Sequence, residues 1–263
     1  MSHPRSFQEL AAIAQQVAEE CARIVVQGYR VRPKAGTKGC VVDLVTEFDL
    51  KSEAHLRQRF AELTPDIPIL AEEQGGQATD GLCWYCDPLD GTTNFVHGHP
   101  FFCVSIGAMQ DNVPVVGAVV APVLGVTWVG YQGGPATRNG DPCEVSRTEV
   151  IQEALLATGF PPDRSREPDN NFAAWANVKR RCRGVRRCGS AALDLCLVAD
   201  GTYDGYWERN LHAWDIVAGA AVVLAAGGRL SGLDGAETRL VSGNIVATNG
   251  AVHQELLGLL EGK

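Results

Sequence analysis

The nine residues from Asp87 to Phe95 constrain this chain more than any other stretch. They read Asp-Pro-Leu-Asp-Gly-Thr-Thr-Asn-Phe, with two carboxylates three positions apart. Pro88 stiffens the turn, so Asp87 and Asp90 can face one point, with the Leu89 carbonyl between them. Carboxylate and carbonyl oxygens are the ligands that hard cations such as Mg²⁺ prefer, commonly together with a substrate phosphate.

The second part of this stretch suits a phosphate group. Gly91 lets the backbone come close to a ligand. Thr92, Thr93 and Asn94 are expected to begin a short helix, and the free N–H groups of a first helical turn bind phosphate well. The motif therefore predicts metal-assisted phosphate chemistry, with an ordinary surface turn as the alternative, because Asp, Pro and Gly are also common turn residues.

Composition narrows the classes of function. The chain has 263 residues, enough for one large domain or two closely joined halves. Its net charge of −8 and isoelectric point of about 5.3 argue against a general nucleic-acid or anionic-membrane binder, which would more often be basic. The apolar runs Val113 to Val120 and Ala218 to Ala226 are too short to span a membrane, and they predict a buried strand and a buried helix.

The N-terminal sequence and the cysteines favour a cytoplasmic protein. Met1 to Glu9 is polar, and no apolar signal-peptide core follows it. The nine cysteines are an odd number, which without a secretory signal indicates reduced thiols. Cys83 and Cys86 form a CxxC pair that could be a redox or half-zinc site, but their surroundings favour a buried strand.

Hydrophobic periodicity predicts a mixed α and β architecture. Ser6 to Gln27 has the spacing of an amphipathic helix that begins with a capping box. A mobile loop is expected from Arg30 to Gly39 and a second helix from Thr46 to about Phe60. A short strand at Ile69 to Ala71 follows, and Leu82 to Tyr131 alternates like an antiparallel sheet.

The rest of the chain alternates between strand and helix patterns. The predicted elements are a strand at Leu155 to Thr158, helices at Asn170 to Arg181 and Ala191 to Ala199, a strand at Tyr203 to Trp207, a helix at Trp214 to Ala226, a strand at Asn244 to Thr248 and a helix from Asn249. We expect residues 1–263 to form one domain with a cleft between two approximate halves. Residues 1–150 would form the metal and phosphate half, and residues 151–263 the substrate half.

Carboxylates stand at three points of the predicted fold. Glu72 ends one strand, Asp87 and Asp90 follow the next, and Asp215 lies at the start of a helix. Asp215 alone could be a carboxylate that the helix dipole stabilises. The four carboxylates together could surround two or three divalent ions.

These motifs resemble, in the same order, those of the inositol monophosphatases, a branch of the Mg²⁺-dependent, lithium-sensitive sugar-phosphatase superfamily. The segments that carry the resemblance span nearly the whole chain: Ala71-Glu72-Glu73, Asp87 to His97, Gly189-Ser190-Ala191-Ala192 and His212-Ala213-Trp214-Asp215. The resemblance implies a homodimer with an α+β fold, a layered α-β-α-β-α sandwich of the inositol monophosphatase and fructose-1,6-bisphosphatase type. Val217 departs from the pattern, since relatives carry a small residue there.

The resemblance also implies the metal ligands. Glu72, Asp87 and the Leu89 carbonyl match the ligands of a first, activating Mg²⁺. Asp87, Asp90 and Asp215 match those of a second ion, and Glu72 would reach a third ion through water. In such a site one ion lowers the pKa of the attacking water and another stabilises the leaving oxygen.

Further roles follow from the same resemblance. Thr92, paired with Glu72, matches the group that orients the attacking water, and Asp49 matches a carboxylate that positions Thr92. The N–H groups of Gly91 and Thr92 would hold phosphate oxygens, and Glu208 matches the residue that binds substrate hydroxyls. The other residues implied for the substrate site are Lys38, Asp90, Ser190, Ala191 and Asp215.

The expected reaction is hydrolysis of inositol monophosphate or a similar small polyol phosphate. Fructose 1,6-bisphosphate, histidinol phosphate, NADP and 3′-phosphoadenosine phosphates are alternatives within the superfamily. A different class is a regulatory binding protein, suggested by the basic cluster from Lys179 to Arg187, in which Arg186 resembles an arginine near the subunit interface of relatives. The cluster can also be a solvated helix end and strand. His97 and His99 could suggest zinc, but no nearby Cys or carboxylate completes such a site.

Overall fold

The structure is a computed structural model that describes residues 5–38, 44–78, 81–161, 168, 170–237 and 240–262. Its helices are α1 (Phe7–Val25), α2 (Glu47–Leu63), α3 (Thr92–His97), α4 (Phe172–Lys179), α5 (Ala191–Ala199), α6 (Ala213–Ala225) and α7 (His253–Leu260). Its strands are β1 (Ala35–Thr37), β2 (Leu44–Thr46), β3 (Ile69–Ala71), β4 (Gly75–Gly76), β5 (Cys83–Asp90), β6 (Cys103–Gln110), β7 (Val113–Ala121), β8 (Val126–Tyr131), β9 (Ala136–Arg138), β10 (Asp141–Cys143), β11 (Leu155–Thr158), β12 (Gly184–Arg186), β13 (Gly205–Glu208), β14 (Arg229–Ser231) and β15 (Ile245–Thr248). Across these residues, the helices are too short or too polar for a membrane span.

The N-terminal helix forms as its sequence predicts. The backbone N–H of Ser6 donates to Glu9, and the N–H of Glu9 donates back to the Ser6 hydroxyl, so the capping box is complete. A short 3-10 turn at Val26–Gly28 ends the helix. Its buried face follows the expected helical spacing: Leu10, Ala11, Ala14, Val17, Ala18, Cys21, Ala22 and Val25.

Two main sheets organise the chain. The larger has eight strands in the order β10-β9-β8-β7-β6-β5-β3-β4, and β5 to β8 pair antiparallel as predicted. In it, β3 runs parallel to β5, with Ala71 opposite Cys86. Parallel neighbours end at the same edge of a sheet, so Glu72 and Asp87, the next residue after each member of this pair, come out side by side. The smaller sheet has five strands in the order β12-β11-β13-β15-β14.

Helices and sheets alternate in layers. Helices α1 and α2 pack on one face of the eight-stranded sheet, and α5 and α6 pack between the two sheets. Helices α4 and α7 pack together on the outer side of the five-stranded sheet. Each layer buries an apolar face against the next, and the predicted α-β-α-β-α sandwich is confirmed. The division into halves 1–150 and 151–263 stays a prediction.

Two glycines bring α6 close to the larger sheet. A Cβ on Gly117 would lie 2.0 Å from the carbonyl oxygen of Ala218, which no side chain could tolerate. A Cβ on Gly107 would lie 2.8 Å from Cγ1 of Val217. The lack of a side chain at Gly107 therefore leaves room for Val217, and α6, which carries Asp215, packs closely on this sheet.

Some predicted boundaries differ from the structure. The predicted loop from Arg30 to Gly39 is wrong at Ala35–Thr37, because these residues pair with Leu44–Thr46 as a short hairpin. Gly39 lies outside the described residues, as do residues 1–4 of the polar start. The last helix begins at His253, because the side chain of Asn249 first accepts the Val252 N–H in a turn.

Candidate active site

One cavity of about 680 Å³ gathers the residues that the sequence singled out. Its wall includes every predicted metal ligand: Glu72, Asp87, Leu89, Asp90 and Asp215. The predicted substrate residues also line it: Lys38, Gly91, Thr92, Ser190, Ala191 and Glu208. Asp49 lies behind the wall, in contact with Thr92. Below, "acidic cluster" means Glu72, Asp87, Asp90 and Asp215.

Two hydrogen bonds fix the end of β5, between the two motif aspartates. The Leu89 N–H donates to Oδ1 of Asp87 at 2.9 Å, and the Ser52 hydroxyl donates to the Pro88 carbonyl at 3.0 Å. The pairing of β5 with β6 shifts register between Asp87 and Asp90. Such an irregularity re-aims side chains at the end of a strand, and here it turns both carboxylates to the cavity.

Asp90 is anchored by the start of α5. Its Oδ2 accepts from the Ser190 hydroxyl at 2.7 Å and from the Ala192 N–H at 2.8 Å. Burial raises the pKa of Asp90 to about 6, while these two hydrogen bonds act in the opposite direction. Ser190 lines the predicted substrate pocket, but its hydroxyl is used to orient this carboxylate.

Asp49 and Thr92 are joined directly. The Thr92 hydroxyl lies 3.1 Å from Oδ1 of Asp49 and 3.1 Å from the Leu89 carbonyl oxygen. The other carboxylate oxygen of Asp49 accepts from the N–H of Thr46 at 2.9 Å and completes the capping box of α2. Asp49 is fully buried, and burial raises its pKa. Among the described residues, the Thr92 hydroxyl makes no hydrogen bond to Glu72, its predicted pair.

Lys38 neutralises part of the acidic cluster. Its ammonium nitrogen lies 2.7 Å from Oε1 of Glu72 and 2.6 Å from Oε1 of Glu73. Burial raises the pKa of Glu73 to about 7. The turn that carries both glutamates is held by the buried carboxylate of Glu53, which accepts the N–H groups of Glu73 and Gln74. Sequence reasoning missed Glu53, because its role depends on α2 packing against this turn.

Asp215 is anchored at the start of α6. Its carboxylate accepts the N–H of His212 at 2.7 Å, as the third residue of a helix commonly does. It also faces the cavity. Loss of water raises the pKa of Asp215 well above its usual range, and the negative charges of Glu72 and Asp90 raise it further.

The charges of the acidic cluster suit a hard divalent cation. Burial and mutual repulsion also raise the pKa of Asp87 well above its usual range, and a shared cation would relieve that repulsion. Within the described ranges, however, no three His, Cys, Asp or Glu side chains converge on one point as they stand. The donor types fit Mg²⁺, and all four carboxylates line the cavity wall. The histidines 97 and 99 also lack a third ligand in this part of the chain.

A second group of cavity residues has a different character. "Glu208 wall" means Phe160, Phe172, Arg187 and Glu208, which line the cavity together. The Tyr206 hydroxyl donates to the carboxylate of Glu208, and burial raises the pKa of Glu208 to about 7. A Cβ on Gly159 would lie 1.9 Å from Oε1 of Glu208, so the carboxylate rests directly against the backbone there.

The structure adds cavity residues that the sequence did not assign. Asn94, within the first motif, ties α3 to the segment before α5 by donating to the carbonyl oxygens of Phe101 and Cys188, at 2.6 and 2.8 Å. Arg187 belongs to the basic cluster of the sequence but lines the cavity. Arg180, Arg181 and Arg183 of the same cluster are exposed and do not line it. Arg187 directly follows Arg186, which pairs with Ala157 where β12 runs beside β11.

Comparison with known proteins agrees with this geometry. Residues 6–262 match the inositol monophosphatase family. An inositol-1-monophosphatase of Synechocystis sp. is 45% identical over 83% of this chain and 77% of its own length. A protein named Nus factor SuhB, of Pasteurella multocida, is 36% identical over 95% of this chain and 94% of its own length.

A solved structure carries the same fold. The inositol monophosphatase from Anabaena (Nostoc) sp. superposes with a TM-score of 0.88 and 40% identity, covering 97% of this chain and 96% of its own. Since the match covers nearly every residue of both chains, the two proteins share the whole fold. The chain therefore belongs to the inositol monophosphatase family and is a phosphoric monoester hydrolase.

Proposed function

We propose that this enzyme hydrolyses inositol monophosphate or a similar small polyol phosphate. The observation that carries the proposal is that one cavity contains both the acidic cluster and Glu208. The acidic cluster suits cation-assisted phosphate chemistry. Glu208 can accept hydrogen bonds from the hydroxyls of the alcohol that is released.

Mg²⁺ is the cofactor that the donor set fits best, with two or three ions. We propose Glu72, Asp87 and the Leu89 carbonyl as ligands of one ion, and Asp87, Asp90 and Asp215 as ligands of another. Bound there, Mg²⁺ would supply Lewis-acid stabilisation of the phosphate charge and of the attacking and leaving oxygens. Lys38 and Glu72 would separate as an ion takes up the carboxylate.

The side chains of the chain orient the reaction. Asp49 and the Leu89 carbonyl compete for the Thr92 hydroxyl hydrogen, which leaves a lone pair of Oγ1 free to accept from the attacking water. The N–H groups of Gly91 and Thr92 are proposed to bind phosphate oxygens, because the first N–H groups of a helix have no intrahelical partner. Ser190 holds Asp90 in place during the reaction.

Phosphate release across a substrate panel tests the proposal. The purified protein with Mg²⁺ is offered inositol 1-phosphate, fructose 1,6-bisphosphate, histidinol phosphate, 3′-phosphoadenosine 5′-phosphate and NADP. We expect the highest kcat/KM for inositol 1-phosphate and loss of turnover when a chelator removes the metal. Preference for a different substrate would leave the reaction class unchanged and assign another specificity of the superfamily. No phosphate release from any substrate of the panel would contradict the proposal.

A regulatory role is the second candidate. Relatives that bear the name Nus factor SuhB motivate it, as do the exposed cations Arg180, Arg181 and Arg183. If this surface binds an acidic partner, reversing these three charges should abolish complex formation and leave phosphate release unchanged. Equal complex formation by the variant and the wild type in a pull-down from the cell of origin would count against it.

We also propose a cytoplasmic homodimer that lithium inhibits, as the family resemblance implies. Light scattering of the purified protein should give twice the mass of one chain. Phosphate release should fall as LiCl replaces NaCl at constant ionic strength. A monomeric mass, or equal rates in the two salts, would contradict the corresponding part of this proposal.

A further inference from the structure

Arg187 is held over a glycine at the wall of the cavity. It follows β12, is exposed to solvent and lines the cavity. A Cβ on Gly189 would lie 2.5 Å from Nη1 of Arg187 and 3.3 Å from the side-chain nitrogen of Asn94. Gly189 also has a φ of +87°. The guanidinium therefore rests against this backbone, next to the segment that begins α5.

The guanidinium is available to a ligand. Among the described residues, Arg187 makes no ion pair within 4 Å, whereas the other long basic side chain of the cavity, Lys38, is bound to two glutamates. Arg187 and Glu208 both line the cavity, and the positive charge of Arg187 lowers the pKa of Glu208 against the effect of burial. The Arg187 guanidinium, a hydrogen-bond donor, and the Glu208 carboxylate, an acceptor, thus belong to the wall of one cavity.

Resting on the proposed function, we propose that Arg187 and Glu208 together bind two neighbouring hydroxyls of the substrate alcohol, Arg187 donating to one oxygen and Glu208 accepting from the other. A guanidinium carries several donors in a rigid fork and no acceptor. A carboxylate supplies only acceptors. A hydroxyl both donates and accepts, so a vicinal diol satisfies the two side chains at once.

A second anionic group fits this position less well. The Glu208 carboxylate would repel a phosphate or carboxylate bound at Arg187, since like charges in a partly buried site interact strongly. A neutral diol meets no such repulsion and leaves the Arg187–Glu208 attraction intact. The site should therefore prefer monophosphates of hydroxyl-rich rings to bisphosphates.

Two esters with the same ring test the inference. Inositol 1-phosphate carries neighbouring hydroxyls, and cyclohexyl phosphate carries none, so the ratio of their kcat/KM values isolates hydroxyl recognition. We expect Arg187→Met to lower kcat/KM for inositol 1-phosphate about tenfold, as loss of a charge-assisted hydrogen bond does. The value for cyclohexyl phosphate should stay within about twofold, because the phosphate contacts are untouched. Arg187→Gln, which keeps an amide donor, should recover part of the ratio.

A matched control and a third substrate make the result decisive. Arg183→Met removes an exposed arginine of the same basic cluster that does not line the cavity, and it should leave both values unchanged. An equal fall for both esters in Arg187→Met would overturn the inference and assign Arg187 to the phosphate. A selective fall for fructose 1,6-bisphosphate would overturn it in favour of a second anion subsite.

The same experiment separates this inference from the proposed function. A wild-type enzyme that hydrolyses both esters at equal kcat/KM would contradict hydroxyl recognition and leave the phosphatase activity standing. A wild-type enzyme that releases no phosphate from inositol 1-phosphate or from the wider panel would contradict the proposed function and this inference with it.

Discussion

The acidic cluster and the Glu208 wall share one cavity, but they are built in different ways. Glu72 follows β3 and is bound by Lys38, whereas Asp87 and Asp90 lie in the second half of β5, and backbone or hydroxyl donors orient their carboxylates. The Glu208 wall is assembled from β13, the segment after β11, α4 and the residue after β12. Its guanidinium and aromatic rings are partly or largely exposed. The hydrogen-bonded carboxylates of the first suit the chemical step, and the more exposed side chains of the second suit discrimination between alcohols.

The largest expected effect comes from changing a carboxylate of the acidic cluster. Asp90→Asn keeps the shape that accepts from Ser190 and Ala192 but removes a charge that an ion needs. We expect kcat to fall on the order of a thousandfold, equivalent to about 4 kcal/mol of transition-state stabilisation. Phosphate release from inositol 1-phosphate at saturating Mg²⁺ measures it.

Asp194→Asn is the matched control for this change. Asp194 is also a buried aspartate, but it does not line the cavity, and burial raises its pKa well above its usual range, which favours the neutral carboxyl group that an amide resembles. Its amide variant should keep kcat within about threefold. Equal kcat values for Asp90→Asn and Asp194→Asn would show that the acidic cluster has no special role in catalysis.

Metal binding can be measured separately. Mg²⁺ at about 100 times its Kd should stabilise the wild type by roughly 2.7 kcal/mol, which raises its Tm, and Asp90→Asn should lose this rise in Tm.

The next effect tests the hydroxyl that orients water. Thr92→Ala removes the contact with Asp49 and the group proposed to position the nucleophile, and should lower kcat about a hundredfold. Thr92→Ser keeps the hydroxyl and should keep kcat within about fivefold. Single-turnover kinetics separate this step from product release. A serine variant as slow as the alanine variant would show that the methyl group, and not the hydroxyl, matters.

These two regions also differ in how far the sequence could predict them. The ligands of the acidic cluster lie in short motifs, and their spacing already implied that Asp87 and Asp90 face one point. The parallel pairing of β3 with β5 then explains why Glu72 joins them. The layered order of helices and sheets could be expected from the family resemblance, and most helix and strand positions followed from periodicity.

The Glu208 wall could not be predicted in the same way. The sequence indicated that Arg187 belongs to a solvated basic cluster, because several nearby residues are also arginines. Its place in the cavity wall depends on the sheet topology. The role of Gly159 could not be predicted from the sequence either. This glycine leaves room for the carboxylate of Glu208, which lies 49 positions later in the chain. Contacts between distant segments depend on packing, and a single sequence does not carry them.

A smaller effect is expected from the Glu208 wall. Glu208→Gln keeps the size of the side chain but weakens acceptance from substrate hydroxyls, so the kcat/KM ratio of inositol 1-phosphate to cyclohexyl phosphate should fall about tenfold. Gly159→Ala should act in the same direction, because its methyl group would displace the Glu208 carboxylate. Steady-state kinetics on the two esters measure both variants. A fall in kcat for both esters alike would place Glu208 with the acidic cluster and break the distinction.

The smallest effect is a pH dependence of discrimination. Burial raises the pKa of Glu208 to about 7, so the carboxyl group is mostly neutral below that pH and mostly ionised above it. An ionised carboxylate accepts hydroxyl hydrogen bonds more strongly than the acid does. The preference for inositol 1-phosphate over cyclohexyl phosphate should therefore rise about fivefold between pH 6 and pH 8.

Both substrates are phosphate monoesters, so ionisation of the phosphate and of the acidic cluster cancels in the ratio of their kcat/KM values, although each changes the separate rates. Glu208→Gln has no group that titrates here and should give a flat ratio over the same range. A wild-type ratio that stays flat would mean that Glu208 keeps one protonation state throughout, and that discrimination depends on shape and on Arg187 instead.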